Sequence, residues 1–157
     1  MFSVKDGDRT LQFHGTLLAK SSSERRGTYR WIEFELYRTE SGSYILSRIG
    51  VSLIFHGAAC ALVSKYKLSE APNYELPTHA IPCEECEPED TLDLVFPEKY
   101  RHWAQVFEYP EGILDSLYKT DPRTGARYLT AVAHRLLKGA SLVDLEIADV
   151  YTVEIVS

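Results

Sequence analysis

The sequence predicts an α+β fold, with an antiparallel sheet formed by the N-terminal half and C-terminal helices packed on one of its faces. Residues 29–55 alternate between apolar and polar side chains, residues 126–138 carry apolar side chains at helical spacing, and a Pro- and Glu-rich stretch separates them. At 157 residues the chain fits a single domain that needs neither a disulfide nor a metal to fold. We expect residues 1–67 to be mainly β, residues 68–93 to form a long loop, and residues 94–157 to be mainly helical.

The clearest β pattern is a hairpin formed by residues 29–38 and 44–55, with a Glu-Ser-Gly-Ser turn at residues 40–43. Both arms are rich in the branched and aromatic side chains that strands favour. A further strand is expected over residues 11–18, before a polar loop at residues 21–27. The alternation predicts an inward face made of Ile32, Phe34, Leu36, Ile45, Ile49 and Val51.

The last third of the chain favours helices. The strongest pattern lies in residues 126–138, where Leu129, Val132, Ala133, Leu136 and Leu137 form one apolar stripe and Gly139 suits the end of the helix. Ser141 is a suitable N-cap for a short helix that follows. We predict helices over residues 97–106, 110–118, 126–138 and 142–148, a turn at residues 121–125, and a final strand over residues 151–156.

Charge is unevenly distributed along this acidic chain, whose formal net charge is −6. Residues 1–70 hold ten Lys/Arg and seven Asp/Glu, whereas residues 71–157 hold seven Lys/Arg and sixteen Asp/Glu. A polyanion would therefore be repelled by the second half. No apolar run reaches the roughly 18 residues that a membrane span requires, and the N-terminus has no signal-peptide pattern, so we expect a cytoplasmic protein without a membrane partner.

Cysteine spacing offers one candidate metal site. Cys83 and Cys86 form a CxxC pair, and Cys60 and His56 are the further candidate ligands for a tetrahedral zinc ion. The set is incomplete, because zinc-binding motifs generally combine two close-spaced pairs. Glu84, Glu85, Glu87 and Glu89 surround the pair and raise the pKa of a thiol, which disfavours a redox role. We therefore expect no cofactor, with a zinc-stabilised structural subunit as one alternative.

Catalytic signatures are absent from the sequence: there is no P-loop, dinucleotide-binding, zincin or nucleophile-elbow motif. One catalytic alternative remains. Metal-independent cleavage of RNA needs a base, an acid and a cation near the phosphate, and His14 and His56 lie on or beside predicted strands that also carry arginines. Two histidines near a sheet are also expected by chance, so we expect a protein that is not an enzyme, with a small nuclease as the alternative.

The leading hypothesis is an interaction module. Basic side chains alternate with aromatic ones around the predicted hairpin, a combination that suits single-stranded nucleic acid. Three glutamates in the same segment dilute that charge and weaken the signal. We expect a protein or nucleoprotein partner, bound through this hairpin or through the long acidic loop. The candidate binding residues are Arg25, Arg26, Arg30, Trp31, Arg38 and Arg48.

Residues 22–50, which include the string WIEFELYR, resemble short uncharacterised proteins of bacterial mobile elements. The resemblance covers under a quarter of the chain, implies no known activity and identifies no family. It suggests an accessory subunit of a bacterial or phage system. The sequence leaves the partner and the oligomeric state open.

Overall fold

The computed structural model describes residues 1–57, 81–82, 94–95 and 100–156, and it confirms the α+β fold. The strands are β1 (Phe2–Asp6), β2 (Arg9–Phe13), β3 (Gly15–Ser22), β4 (Arg30–Thr39), β5 (Tyr44–Ser52), β6 (Ile54–Gly57), β7 (Ile81–Pro82), β8 (Leu94–Val95), β9 (Tyr100–Phe107), β10 (Lys119–Thr120) and β11 (Arg127–Tyr128). The helices are α1 (Pro110–Leu117), α2 (Ala131–Ser141) and α3 (Leu145–Val156).

The chain divides into two compact units. The first comprises Met1–Ser23, Ile32–Ile49 and His102–Ser157, and the second comprises Glu24–Trp31 and Gly50–Arg101. The expectation of a single domain stays a prediction.

A four-stranded antiparallel sheet organises the first unit, with the strand order β3-β4-β5-β9. In the pairing of β3 with β4, Gly15 lies opposite Thr39 and Ser22 opposite Glu33, with a register shift between Leu17 and Ala19. The turn between β4 and β5 is closed by the Thr39 amide, which donates to the Ser43 carbonyl at 2.8 Å. Gly42 in this turn has a φ of 93°, a conformation that favours glycine.

The main core lies between one face of this sheet and the three helices. Strands β4 and β5 contribute Phe34, Leu36, Tyr44 and Leu46. All three helices present buried apolar side chains to the same cluster, as the prediction of helices on one face requires. The helical members are Ile113, Leu114, Leu117, Val132, Ala133, Leu136, Leu137, Ala140 and Ile147.

The opposite face of the sheet is covered in part by the hairpin of β1 and β2, in which Phe2 pairs with Phe13. Val4 of the hairpin packs in a second cluster with Tyr37 and Ile45 of the sheet. The ring of Tyr37 lies 4.9 Å from that of Phe2 and 5.1 Å from that of Phe13, between ring centroids. This hairpin explains why both faces of the central strands carry buried residues.

The predicted inward face is correct for β4 and wrong for β5. Phe34 and Leu36 are buried against the helices, and Ile32 packs beside them. Ile45 instead faces the β1–β2 hairpin, and the two-residue period of a strand puts Ile49 and Val51 on the same side as Ile45. The turn causes the difference. It places Arg38 and Tyr44 on the same face of the sheet, with the Arg38 guanidinium over the Tyr44 ring. The even-numbered residues of both strands therefore share the face that packs against the helices.

Two predicted elements are of the wrong type. Where a helix was expected over residues 97–106, the described residues from Tyr100 onward form strand β9, in which Trp103 and Val106 are exposed. Its place beside β5 supplies the pairing that overrides local helical preference. The expected strand over residues 151–156 belongs to α3. An alternation of six residues is too short to distinguish a strand from the end of a helix that begins before it.

Other C-terminal predictions hold with shifted bounds. Helix α1 begins at Pro110, as expected. Helix α2 begins at Ala131, later than predicted, because residues 127–128 form β11 and Thr130 caps the helix by accepting from the Ala133 amide. The amide of Gly125 donates to the carbonyl of Asp121 at 2.8 Å in the predicted turn.

The second unit contains a three-stranded sheet with the order β7-β6-β8. Strand β6 continues the predicted second hairpin arm after a break at Leu53, and it pairs parallel with β7 and antiparallel with β8. Ile81–Pro82 is therefore a short strand inside the stretch predicted as a loop, whose other residues, from 68 to 93, lie outside the described part of the chain. Among the described residues, no helix is long and apolar enough to cross a membrane.

Candidate functional site

The turn between α2 and α3 reverses the usual placement of polar and apolar side chains. Leu142 keeps helical backbone angles at the C-cap of α2. The amides of Val143 and Asp144 both donate to the carbonyl of Ala140, at 3.1 and 2.9 Å, and so close the helix end. Helix α3 starts one residue after Asp144. The turn is therefore short and held by backbone hydrogen bonds.

Asp144 points inward and is 5% exposed. One carboxylate oxygen accepts from the amide of Ile147 at 3.0 Å, which makes Asp144 the N-cap of α3 in place of the predicted Ser141. The same oxygen accepts from the Tyr44 hydroxyl at 3.0 Å, and the other oxygen accepts from the Arg38 guanidinium at 2.9 Å. Asp144 thus ties the start of α3 to both central strands.

Glu146 completes this network from the first turn of α3. Its carboxylate accepts from the Arg38 guanidinium, and it shares the single Tyr44 hydroxyl donor with Asp144, at an O···O distance of 3.0 Å. Burial, followed by the hydrogen bonds to Glu146 and Asp144, raises the pKa of Tyr44 well above its ordinary value. Burial opposes the charge of Arg38, but attraction to Asp144, Tyr44 and Glu146 outweighs it and raises the pKa of Arg38. Tyr44 therefore keeps its proton and Arg38 keeps its charge, so both remain donors to the carboxylates of Asp144 and Glu146 and hold the turn in place.

The apolar neighbours of Asp144 point into solvent. Leu142 is 80% exposed, Val143 66% and Leu145 82%, and the two leucines are the most exposed large apolar side chains of the described residues. We call Leu142, Val143 and Leu145 the apolar turn. Single exposed apolar residues are normal on a protein surface, but several adjacent ones are unfavourable in water.

Charged side chains lie on both sides of the apolar turn. The exposed side of α2 carries His134, Arg135 and Lys138, and the helix has no acidic residue. His134 Nδ1 lies 3.0 Å from the Tyr151 hydroxyl, and Arg135 donates to the carbonyl of Ser22 at 2.7 Å. Helix α3 has the opposite character, with three carboxylates and no Lys or Arg in its sequence.

The residues predicted to bind a partner are distributed over the two units. Arg25, Arg26 and Arg30 are exposed in the second unit, and Arg48 is exposed in the first. Arg38 is engaged in the network with Asp144. Trp31 has a buried indole N–H that lacks a hydrogen-bond partner among the described residues. The role of these residues in binding stays a prediction.

The catalytic and metal alternatives are untested by the described residues. His14 is exposed between β2 and β3, while the side chain of His56 in β6 lies outside the described part of the structure. Cys60, Cys83 and Cys86 also lie outside it. Within the described residues, no group of three His, Cys, Asp or Glu side chains is placed to hold a metal ion.

Comparison of the chain with protein-family models, with curated proteins and with solved structures gives no match.

Sequence reasoning missed the apolar turn because it began the last helix at Leu142 and assigned the N-cap to Ser141. A signal was present in the string Leu-Val-Asp-Leu-Glu, since Asp is a strong N-cap residue and Glu favours the first turn of a helix. An N-cap at Asp144 would have placed the start of the last helix at Leu145 and left Leu142 and Val143 before it.

Proposed function

We propose that this chain is an interaction module without catalytic chemistry, which binds a protein partner through the apolar turn. The observation that supports the proposal is the reversed turn, in which Asp144 is buried while Leu142, Val143 and Leu145 are exposed. Local flexibility does not explain this exposure, because Asp144 is held by Arg38, Tyr44 and the Ile147 amide.

The free energy of burying apolar side chains supports a contact surface. Burying one Leu or Val side chain contributes about 1.5–3 kcal/mol, so three together offer a partner several kcal/mol of apolar burial. The turn is also ordered before binding, which lowers the entropy cost of forming the complex. A small, ordered apolar surface of this kind fits the buried centre of a protein interface, which is more apolar than its rim.

The alternatives from the sequence have less support. A nuclease site needs His14 together with a second acid–base group and a cation. The apolar turn contains neither kind of group, so it does not support a nuclease. Nucleic acid remains the second class of partner for the exposed Arg25, Arg26 and Arg30. We place the contact in the cytoplasm, since three cysteines, an odd number, suit a reducing compartment.

Site-specific photocrosslinking in native cells tests the proposal. A photoreactive amino acid replaces Leu142 in one variant and Val106, an exposed aliphatic residue of β9, in a matched control. We expect a defined covalent adduct from position 142 and none from position 106. Adding Leu145→Ser to the first variant should abolish the adduct, because it removes an adjacent part of the same surface.

Equal labelling from both positions, or an adduct that survives Leu145→Ser, would contradict the proposal. So would the lack of any adduct from position 142. Thermal denaturation followed by circular dichroism shows whether each variant is folded.

A further inference from the structure

The charges around the apolar turn are arranged with opposite signs on its two sides. Lys138 lies four residues before Leu142, and Asp149 lies four residues after Leu145. Because residues four apart share a helix face, Lys138 is beside Leu142 on α2 and Asp149 is beside Leu145 on α3. Both charged side chains are exposed, and neither forms an ion pair within the described residues. The surface therefore runs from positive, through apolar, to negative.

A surface with this order of charges is complementary to itself. In a twofold-symmetric contact the same patch meets its own copy, and each residue on one side of the axis faces a residue from the other side. With the axis through the apolar turn, between α2 and α3, the two sets of Leu142, Val143 and Leu145 meet at the centre. Lys138 of each copy then faces Asp149 of the other.

We infer that the partner of the apolar turn is a second copy of this chain, bound as a symmetric dimer in which α2 of one copy lies against α3 of the other. The inference rests on the proposed function, because it names the occupant of the same surface. The apolar area is small, so the dimer forms reversibly and its population depends on protein concentration.

The same charges make nucleic acid a poor occupant. Two helices joined by a short turn resemble the arrangement of a helix-turn-helix motif, whose second helix enters the major groove of DNA. Here the second helix carries Glu146, Asp149 and Glu154 and no basic residue. Phosphate groups would repel it.

Sedimentation equilibrium of the purified full chain, over a concentration series that reaches the millimolar range, tests the inference. We expect a monomer–dimer equilibrium. Leu142→Ser with Leu145→Ser should leave a monomer at every concentration, whereas the control Val106→Ser should associate as the native chain does. Lys138→Glu and Asp149→Lys should each weaken the dimer roughly tenfold or more, because in a twofold-symmetric dimer each substitution creates two pairs of like charges.

Charge exchange separates a direct contact from a structural effect. A chain that carries both Lys138→Glu and Asp149→Lys should dimerise again, since the opposite charges still face one another. An equimolar mixture of the two single variants should also recover dimer. The reversals Lys119→Glu and Glu108→Lys, at exposed positions elsewhere, serve as controls and should leave the equilibrium unchanged.

A native chain that stays monomeric over the whole series would overturn the inference, as would a dimer that is insensitive to these substitutions. The photocrosslinking experiment then separates the two proposals. An adduct of other than twice the chain mass, together with a monomer in sedimentation, would refute the symmetric dimer and retain the interaction module. No adduct and no dimer would refute both.

Discussion

At the scale of single residues, Asp144 determines the site. It is the buried carboxylate that caps α3, and it accepts hydrogen bonds from Arg38 and Tyr44 on the two central strands. Because the Asp144 side chain turns inward, the chain on either side of it turns outward. Arg38, whose expected role in binding a partner stays a prediction, helps to fix the shape of the surface.

Replacing Asp144 by Ala should lower the free energy of unfolding by about 2–4 kcal/mol. Roughly 1 kcal/mol comes from the lost helix cap, and the rest comes from the lost hydrogen bonds of Tyr44 and Arg38 to Asp144, after which only Glu146 remains as their side-chain acceptor in this network. Urea denaturation measures the change. The control Glu108→Ala removes an exposed carboxylate and should alter stability by no more than about 0.5 kcal/mol. Equal effects of the two substitutions would show that Asp144 does not anchor the turn.

The buried tyrosines predict a loss of stability in alkali. Burial and acidic hydrogen-bond partners raise the pKa of both Tyr37 and Tyr44 above the ordinary value of 10. Above that pH the unfolded chain releases both protons while the folded chain retains them. Stability from each tyrosine is thus complete below pH ~10 and falls by about 1.4 kcal/mol per pH unit above it.

Urea denaturation between pH 8 and pH 12, a window on both sides of the ordinary tyrosine pKa of about 10, measures this slope. The double variant Tyr37→Phe, Tyr44→Phe should have a shallower slope in the same window. A native slope as shallow as that of the variant would mean that the phenol groups ionise freely in the folded protein.

At the scale of elements, the sequence predicted that the main strands and helices exist. It predicted less well which face of a strand is buried and which strand lies beside it. The alternation in residues 29–38 was sufficient for β4, since Phe34 and Leu36 face the helices as expected. The inward face of β5 depended on the length of the turn at residues 40–43, which no alternation reveals. Strand β9 depended on a neighbour, β5, some fifty residues away in sequence, and local patterns carry no information about such pairing.

The close approach of β3 to β4 gives a test at this scale. A Cβ atom built on Gly15 would lie 2.2 Å from the backbone carbonyl oxygen of Arg38. Backbone atoms cannot move aside as a flexible side chain can, so Gly15→Ala should destabilise the protein by about 2 kcal/mol or more. At Gly50, by contrast, the nearest atoms would be 3.9 Å away.

Gly50→Ala is therefore the matched control, also in a strand, and thermal denaturation of both variants compares them. A Gly15→Ala protein that is as stable as the control would show that the two strands are not paired at Gly15 and Thr39.

At the scale of the whole molecule, the first unit buries both faces of its sheet, with helices on one side and the β1–β2 hairpin on the other. Composition and pattern were sufficient to predict the fold class. The candidate site could not be predicted in the same way, because apolar residues such as Leu142 and Leu145 are ordinarily assigned to the core. The contacts of Asp144 with Arg38 and Tyr44 show that they point outward, and the one signal in the sequence was the N-cap preference of Asp144.

The free energy of unfolding of the variant Leu142→Ser, Val143→Ser, Leu145→Ser tests the central claim most directly. The measurement uses a dilute sample, so that association contributes nothing. If the apolar turn is displayed on the surface, each change alters stability by about 0.5 kcal/mol or less. If these side chains are buried instead, their loss should cost about 2 kcal/mol or more each, and the variant would be largely unfolded. We predict a folded variant of nearly native stability; a largely unfolded one would contradict the account.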